Sequence, residues 1–323
     1  MRQTAHELPT SEHFEAHEIA GGVYAAIAIP GGAARSNASI IDLGDRTLIV
    51  DTFVTPKAAQ DLRVAAEQLT GRPASYVIIT HAHSDHWMGN QVFADHATII
   101  STHGTREQML ASAEELRKLQ ADPSELQQTL RADEERLAEE TDEQARDLLQ
   151  TSIDRARRQL EMLPTLELRF PVQTFDGKLV FHGSRRTAEL ITKGEGHTPS
   201  DSYLVLPAQK VAFVGDLAFF ACQPYMGQCI PHAWVTQIDD LCQSDVEVFV
   251  PGHGPLGTKA DLELEKRYIL TQEKLVGQVV EKGGTVEDAL AIALPEPFNA
   301  WEAEDRRRFE MNVRTSYERL SGN

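Results

Sequence analysis

Four side chains able to ligate a metal ion crowd into one short stretch, THAHSDHWMGN: His81, His83, Asp85 and His86. They follow the β-branched apolar run YVII at residues 76–79, which reads as a buried strand. Imidazoles and carboxylates are poor core material, because burying a polar group without a partner is costly. Something other than packing holds them there. Three further residues repeat the device. His197 stands in GEGHTPSD after AELITKG, Asp216 ends the apolar run VAFVGD, and His253 stands in PGHG after VEVFV. Each is a polar residue beside glycine at the tip of an apolar strand, and glycine lets a backbone turn sharply and approach closely.

Residues two apart on an extended backbone point the same way, so His81 and His83 converge on one ion. Asp85 and His86 then turn toward a second position beside it. Imidazole with carboxylate suits zinc, iron or manganese, with a coordination position left for solvent. Two such ions, about 3.5–4 Å apart, would share a water whose pKa falls toward ~7 and yields hydroxide at neutral pH. One ion polarises a carbonyl or phosphoryl oxygen while the hydroxide attacks, and Asp85 orients that hydroxide as well as ligating. No serine or cysteine nucleophile is required.

The elements that must position these groups can be read around them. GVYAAIAIP, ASIIDLG and TLIVDT read as strands, as do SYVIIT and ATIIST. TPKAAQDLRVAAEQLTGRP reads as a helix capped by Thr55, with Pro56 at its first position, an apolar face of Ala58, Leu62, Ala65 and Leu69, and an end at Gly71 and Pro73. From residue 105 to 163 glycine thins out, charges of both signs crowd in, and leucines recur at helical spacing. This reads as an insertion of two or three helices, capped near Asp122-Pro123 and Thr141. Its stripe of Leu148, Leu149, Ile153, Ala156 and Leu160 packs on the main body or on a second copy of the chain in a homodimer. TLELRFPVQTF, KLVFHG, AELITKG, SYLVLPAQKVAFVGD and VEVFVPGHG read as strands, and residues 258–323 as a mainly helical tail. The whole of 1–323 is expected to form one domain, with two sheets packed together and helices outside.

These motifs, HxHxDH, then GHT, GD at a strand end and PGHG, resemble in kind and order the metallo-β-lactamase superfamily, across nearly the whole core. The resemblance implies an α/β (α+β) fold, a four-layer αββα sandwich of two mixed sheets, with a dinuclear site at one sheet edge. It further implies that His81, His83 and His197 hold one metal and Asp85, His86 and His253 the other. Asp216 would bridge them, as in the glyoxalase II-like branch. The cofactors expected are two divalent ions, zinc first, with iron or manganese as alternatives. Asp51, closing the run LIVD, is expected to bond the ligand loop, and Asp201 either to orient a ligand histidine or to cap a turn. His232, in the segment after Asp216, is expected at the substrate rim. His6, His13, His17, His96, His103 and His182 read as surface or locally bonded residues.

Composition narrows the partners. A net charge of −18 argues against nucleic acid or an anionic membrane. No leader-like apolar segment opens the sequence, and no run of about 18 apolar residues occurs in it. The three cysteines form no CxxC pair, which fits a reducing, cytoplasmic setting. The expected activity is hydrolysis of an ester, thioester, lactone or amide-like bond of a small molecule, with β-lactam cleavage as a side activity. The competing readings are a mononuclear iron enzyme resembling persulfide dioxygenases and a silent scaffold.

Overall fold

The computed structural model describes residues 8–322. The first sheet runs in spatial order β1 (Phe14–Ala20), β2 (Val23–Ala28), β3 (Ala38–Asp42), β4 (Thr47–Val50), β5 (Ala74–Ile78), β6 (Thr98–Thr102) and β7 (Gln173–Phe175). Its pairs are antiparallel up to β4 and parallel from β4 to β7. The second sheet comprises β8 (Lys178–His182), β9 (Thr187–Gly194), β10 (Asp201–Leu206), β11 (Val211–Phe219) and β12 (Val248–His253), antiparallel except for β11 with β12. The helices are α1 (Pro56–Thr70), α2 (Ser84–Trp87), α3 (His103–Ala121), α4 (Ser124–Glu139), α5 (Glu143–Met162), α6 (Pro231–Gln243), α7 (Lys259–Glu281), α8 (Val286–Leu290), α9 (Phe298–Glu304) and α10 (Arg306–Ser321).

Successive strand residues point to opposite faces, and this sorts the apolar side chains into layers. Leu48, Val50, Ile78 and Ile100 of the first sheet share a core with Leu204, Val211 and Phe213 of the second. Their neighbours Ile49, Val77 and Ile99 share another with Ala58, Leu62 and Ala65 of α1. Ala212 and Val214 join Trp234 and Ile238 of α6 and Leu262, Tyr268 and Ile269 of α7. The result is helices, sheet, sheet, helices, as the motifs led us to expect.

Helix α1 follows the expected capping. The Thr55 side chain accepts a bond from Ala58 N, Pro56 opens the helix, and Gly71 ends it at φ 72°, where glycine carries no Cβ penalty. The insertion forms three helices, α3 to α5, and begins at His103, because the Thr102 side chain caps α3. The α5 cap is Asp142, which accepts from Ala145 N, and Thr141 lies one residue outside it. Asp122 accepts from Ser124 N, but Pro123 occupies the α4 cap position.

Other expectations need correction. TLELRF is not a strand. Leu166 is buried and Leu168 and Phe170 pack on the α1 side, so this stretch is used as apolar cover, and only Gln173–Phe175 pairs, beside β6. Strand β1, FEAHEIA, escaped notice because its alternation buries little beyond Phe14. Helix α6, which buries Trp234, Ile238 and Leu241, was likewise not foreseen. Asp216 does not end its strand. β11 runs on to Phe219 through register shifts on both sides of Gly215, which adopts φ 52°. His6 lies outside the described residues. His13 is buried, with Nδ1 3.4 Å from Ala33 N, while His17, His96, His103 and His182 are exposed.

Within the α5 stripe, Leu149, Ile153 and Ala156 are buried, but Leu148 is 50% exposed. Ile153→Ala should therefore cost about 2–4 kcal/mol, and Leu148→Ala less than about 0.5 kcal/mol. Urea midpoints decide this, and equal losses at the two positions would contradict the packing.

Candidate metal centre

The seven ligand-type residues, more than 170 positions apart at the extremes of the chain segment, meet at one edge of the two sheets. Beyond β5 the chain passes Thr80 into a turn carrying His81, and His83 forms the N-cap of the one-turn helix α2, which supplies Asp85 and His86. His197 lies in the turn between β9 and β10, Asp216 within β11, and His253 at the last position of β12.

Two sets of donor atoms form, each able to hold an ion. One is His81, His83, His197 and Asp216, and the other is Asp85, His86 and His253. In the first, His83 Nδ1 lies 3.1 Å from His81 Nε2 and 3.0 Å from His197 Nε2. Ligands placed tetrahedrally about 2.0–2.1 Å from a zinc ion stand about 3.3 Å from one another. Asp216 touches both sets. Its Oδ2 is 3.6 Å from His81 Nε2, 3.3 Å from His197 Nε2 and 3.4 Å from His253 Nε2, and its Oδ1 is 3.0 Å from His86 Nε2. Asp85 Oδ2 is 3.5 Å from His253 Nε2.

The donor set fits metal ions on its own account. His86 Nε2 and Asp216 Oδ1 are buried and 3.0 Å apart, yet neither makes a hydrogen bond, and His197 Nδ1 is also without one. Buried polar atoms are nearly always satisfied, and two such atoms facing one gap are what shared ligation of a cation leaves when the protein is viewed alone. Electrostatics agree. Burial and the neighbouring His86 charge push His81 well below the usual histidine range. Burial and His197 bring His83 down to about 4. Both rings are therefore neutral and free to donate. For His86, burial opposes the charge but Asp216 and Asp51 outweigh it and hold the ring well above its ordinary range. Asp85 is drawn to about 2, because His86, His253 and Arg35 overcome its burial. Asp216 is held well below the carboxylate range, with His253, His86 and His81 overcoming the same penalty.

The support behind the site is specific. Asp51, 2% exposed, accepts from Thr80 N at 2.9 Å and Thr80 Oγ1 at 2.8 Å, and its Oδ2 lies 2.7 Å from His86 Nδ1. This bond fixes the His86 tautomer and leaves Nε2 facing Asp216. Asp201 accepts from Thr198 N at 2.9 Å and Thr198 Oγ1 at 2.7 Å, so it braces the turn that carries His197 and makes no bond to the ring. Burial pushes it up to about 6 against the pull of His197 and the Thr198 bonds. Gly252 is needed for clearance, since a Cβ there would sit 1.8 Å from Asp216 Oδ1.

Several participants were not foreseen. Ser36 Oγ donates to Asp85 O at 2.5 Å, and Asn37 Nδ2 donates to Pro251 O and Gly254 O, tying the loop after β2 to the His253 turn. Gln228 Oε1 is 3.1 Å from His83 Nε2. The Phe219 ring stacks on His253 with centroids 5.0 Å apart, and Glu265 accepts from Phe219 N at 3.0 Å. Polar residues of this kind carry no pattern in the sequence, and only the fold brings them to the site. His232 lies exposed on the first turn of α6 and is not among the residues that line the cavity beside the centre. The open cavity of about 310 Å³ beside the centre is lined by His83, Asp85, Asp216 and His253 together with Tyr225 and a group of arginines.

Asp51→Asn should lower metal affinity about 10–100-fold by releasing His86. Competition with a chromophoric chelator measures it. Unchanged affinity in a folded variant would show that Asp51 serves only the turn.

Comparison with known proteins agrees with this geometry. The family model described as the metallo-beta-lactamase superfamily matches residues 31–253. Among solved structures, a metallo-beta-lactamase from Hirschia baltica aligns with TM-score 0.56 at 15% identity, over 80% of this chain and 98% of its own. One from Pontibacter korlensis aligns with TM-score 0.56 at 18% identity, over 80% and 99%. FIM-1 from Pseudomonas aeruginosa, in its mono-zinc form, aligns with TM-score 0.57 at 15% identity, over 82% and 98%. Identities this low speak for the fold alone. No curated protein matches the chain. Because the matched family segment covers more than half of the chain and spans all seven ligand-type residues, the chain belongs to the metallo-beta-lactamase superfamily.

Proposed function

We propose that this protein is a metal-dependent hydrolase acting on an ester, thioester, lactone or amide-like bond of a small molecule. The observation that carries the reading is Asp216, a buried carboxylate within 3.0–3.6 Å of four imidazoles drawn from both donor sets. His81, His83 and His197 would hold one divalent ion, Asp85, His86 and His253 a second, and Asp216 both, with zinc the first expectation. When bound, such ions acidify a coordinated water and polarise a carbonyl. The chain's own part is positioning and charge. Asp85, ionised throughout the neutral range, offers an acceptor on the cavity wall and can orient and receive a proton there. Asp51 keeps His86 in one tautomer, and the Phe219 stack fixes the plane of His253. The cavity is at the lower end of the range for small-molecule sites, about 300–1,000 Å³.

Within the superfamily, the position of Asp216 between the two sets supports the glyoxalase II-like branch and a thioester or related acyl substrate. The separateness of the four-residue set supports a second reading, a single iron ion and an oxidoreductase. Metal content tells the two apart. Among the described residues Cys222, Cys229 and Cys242 form no disulfide, which supports a cytoplasmic setting. Among the described residues no helix is long and apolar enough to cross a membrane. Leu148, exposed on α5, supports pairing of two copies through the insertion.

Chelation should abolish turnover, and two equivalents of zinc should restore it, on at least one member of a panel of thioesters, lactones, esters and β-lactams. Asp85→Asn should lower kcat on that substrate about 100-fold or more. A zinc-loaded protein inert on the whole panel, or one iron per chain with oxygen uptake, would overturn the hydrolase reading.

A further inference from the structure

The cavity at the metal centre is lined by four arginines, Arg35, Arg155, Arg307 and Arg308, in a chain whose net charge is −18. They come from three separate places in the sequence: the loop after β2, helix α5 of the insertion, and the start of α10 in the tail. Arg308 is committed. Its Nη1 donates to Gln223 O at 2.8 Å, and its Nε pairs with Asp305 Oδ2 at 3.2 Å. Arg35, Arg155 and Arg307 are exposed, and among the described residues their side chains make neither a hydrogen bond nor a salt bridge. The cations are close enough to act on one another. Burial, then Arg35, Arg307 and Arg308, lower the proton affinity of Arg155, and Asp305 only partly offsets them.

Their placement is built. Arg35 sits at φ 70°, a conformation that costs about 1 kcal/mol or more and persists only where surroundings over-determine it. Those surroundings are its neighbours: Ser36 bonds the backbone of Asp85, and Asn37 bonds the Pro251 and Gly254 carbonyls. Arg155 lies between Ile153 and Ala156, both buried. Arg307 precedes the anchored Arg308, and Asp305 caps α10 by accepting from Arg308 N at 3.0 Å. The other acids on the cavity wall, Asp85 and Asp216, belong to the metal centre. Asp305 offsets these charges only in part and Arg35 acts on Asp85 without pairing with it, so Arg35, Arg155 and Arg307 form a gathering that an anion would complete. Guanidinium groups match carboxylate and phosphate oxygens in pairs.

We propose that the substrate carries an oxyanionic group, carboxylate or phosphate, held by Arg35, Arg155 and Arg307 on the exposed side of the cavity while its reacting bond lies against His83, Asp85 and Asp216. The location of the reacting bond rests on the hydrolase reading, but the anion site does not. The insertion and the tail then have a shared role, since each contributes a cation that the sandwich itself lacks.

The test is calorimetric titration of full-length, chelator-treated protein with succinate and, separately, inorganic phosphate. At least one of the two should bind, and which one identifies the oxyanion. The double variant Arg155→Ala/Arg307→Ala should weaken that binding about tenfold or more. Arg63→Ala on α1, whose partner is Glu67, should leave it unchanged. Absence of binding by either anion, or equal binding by wild type and double variant, overturns the proposal, and circular dichroism shows that the variant is folded. If a zinc-loaded enzyme turns over a panel substrate, an analogue bearing a free carboxylate should have lower KM than its methyl ester, with the preference lost in the double variant. Equal KM values would sink the anion site and leave the hydrolase intact, whereas anion binding without turnover would do the reverse.

Discussion

The structure turns on one buried carboxylate. Asp216 is 3% exposed and surrounded by His81, His86, His197 and His253. A charge in that position is expensive unless compensated, and His81, kept neutral by burial, does not compensate it. A cation bound on each side, as proposed above, would resolve the conflict. It would satisfy the orphaned His86 and Asp216 atoms and leave the histidines neutral, as ligands must be. The rest of the site follows from holding that carboxylate still. β11 carries it through an irregular register, Gly252 clears the space its Oδ1 occupies, and Glu265 bonds the backbone of Phe219 three residues on.

The sandwich explains why strands do this work. Side chains of β4, β5, β10 and β11 interlock between the sheets, so their ends cannot shift independently. Ligands mounted there keep fixed separations, which sites built on loops alone do not. The cavity rim is built differently, with α5 and α10 supplying cations from outside the sandwich.

Much of this was legible from residue types and spacing. The four groups at residues 81–86 stand out because a buried strand does not otherwise end in three imidazoles. His197, Asp216 and His253 share the same context, an apolar run and a glycine. The capping of α1 by Thr55 and Gly71 is local chemistry and reads directly. What stayed hidden is what depends on long-range contact. Ser36, Asn37 and Glu265 look like ordinary polar residues until the fold sets them against Asp85, the His253 turn and Phe219. TLELRF has strand-like alternation, yet its apolar side chains cover the α1 layer instead of pairing. Arg155 and Arg307 are 152 positions apart in a sequence rich in charge, and no pattern links them before the insertion and tail meet the sandwich. His232, expected at the rim from its proximity in sequence to Asp216, is exposed at the start of α6 and is not among the residues that line the cavity.

The most direct test of the central claim is anomalous X-ray scattering from crystals of the protein saturated with zinc. Two peaks about 3.5–4 Å apart, one among His81, His83 and His197 and the other among Asp85, His86 and His253, with Asp216 reaching both, are the predicted result. A single peak, or none at these residues, would contradict it.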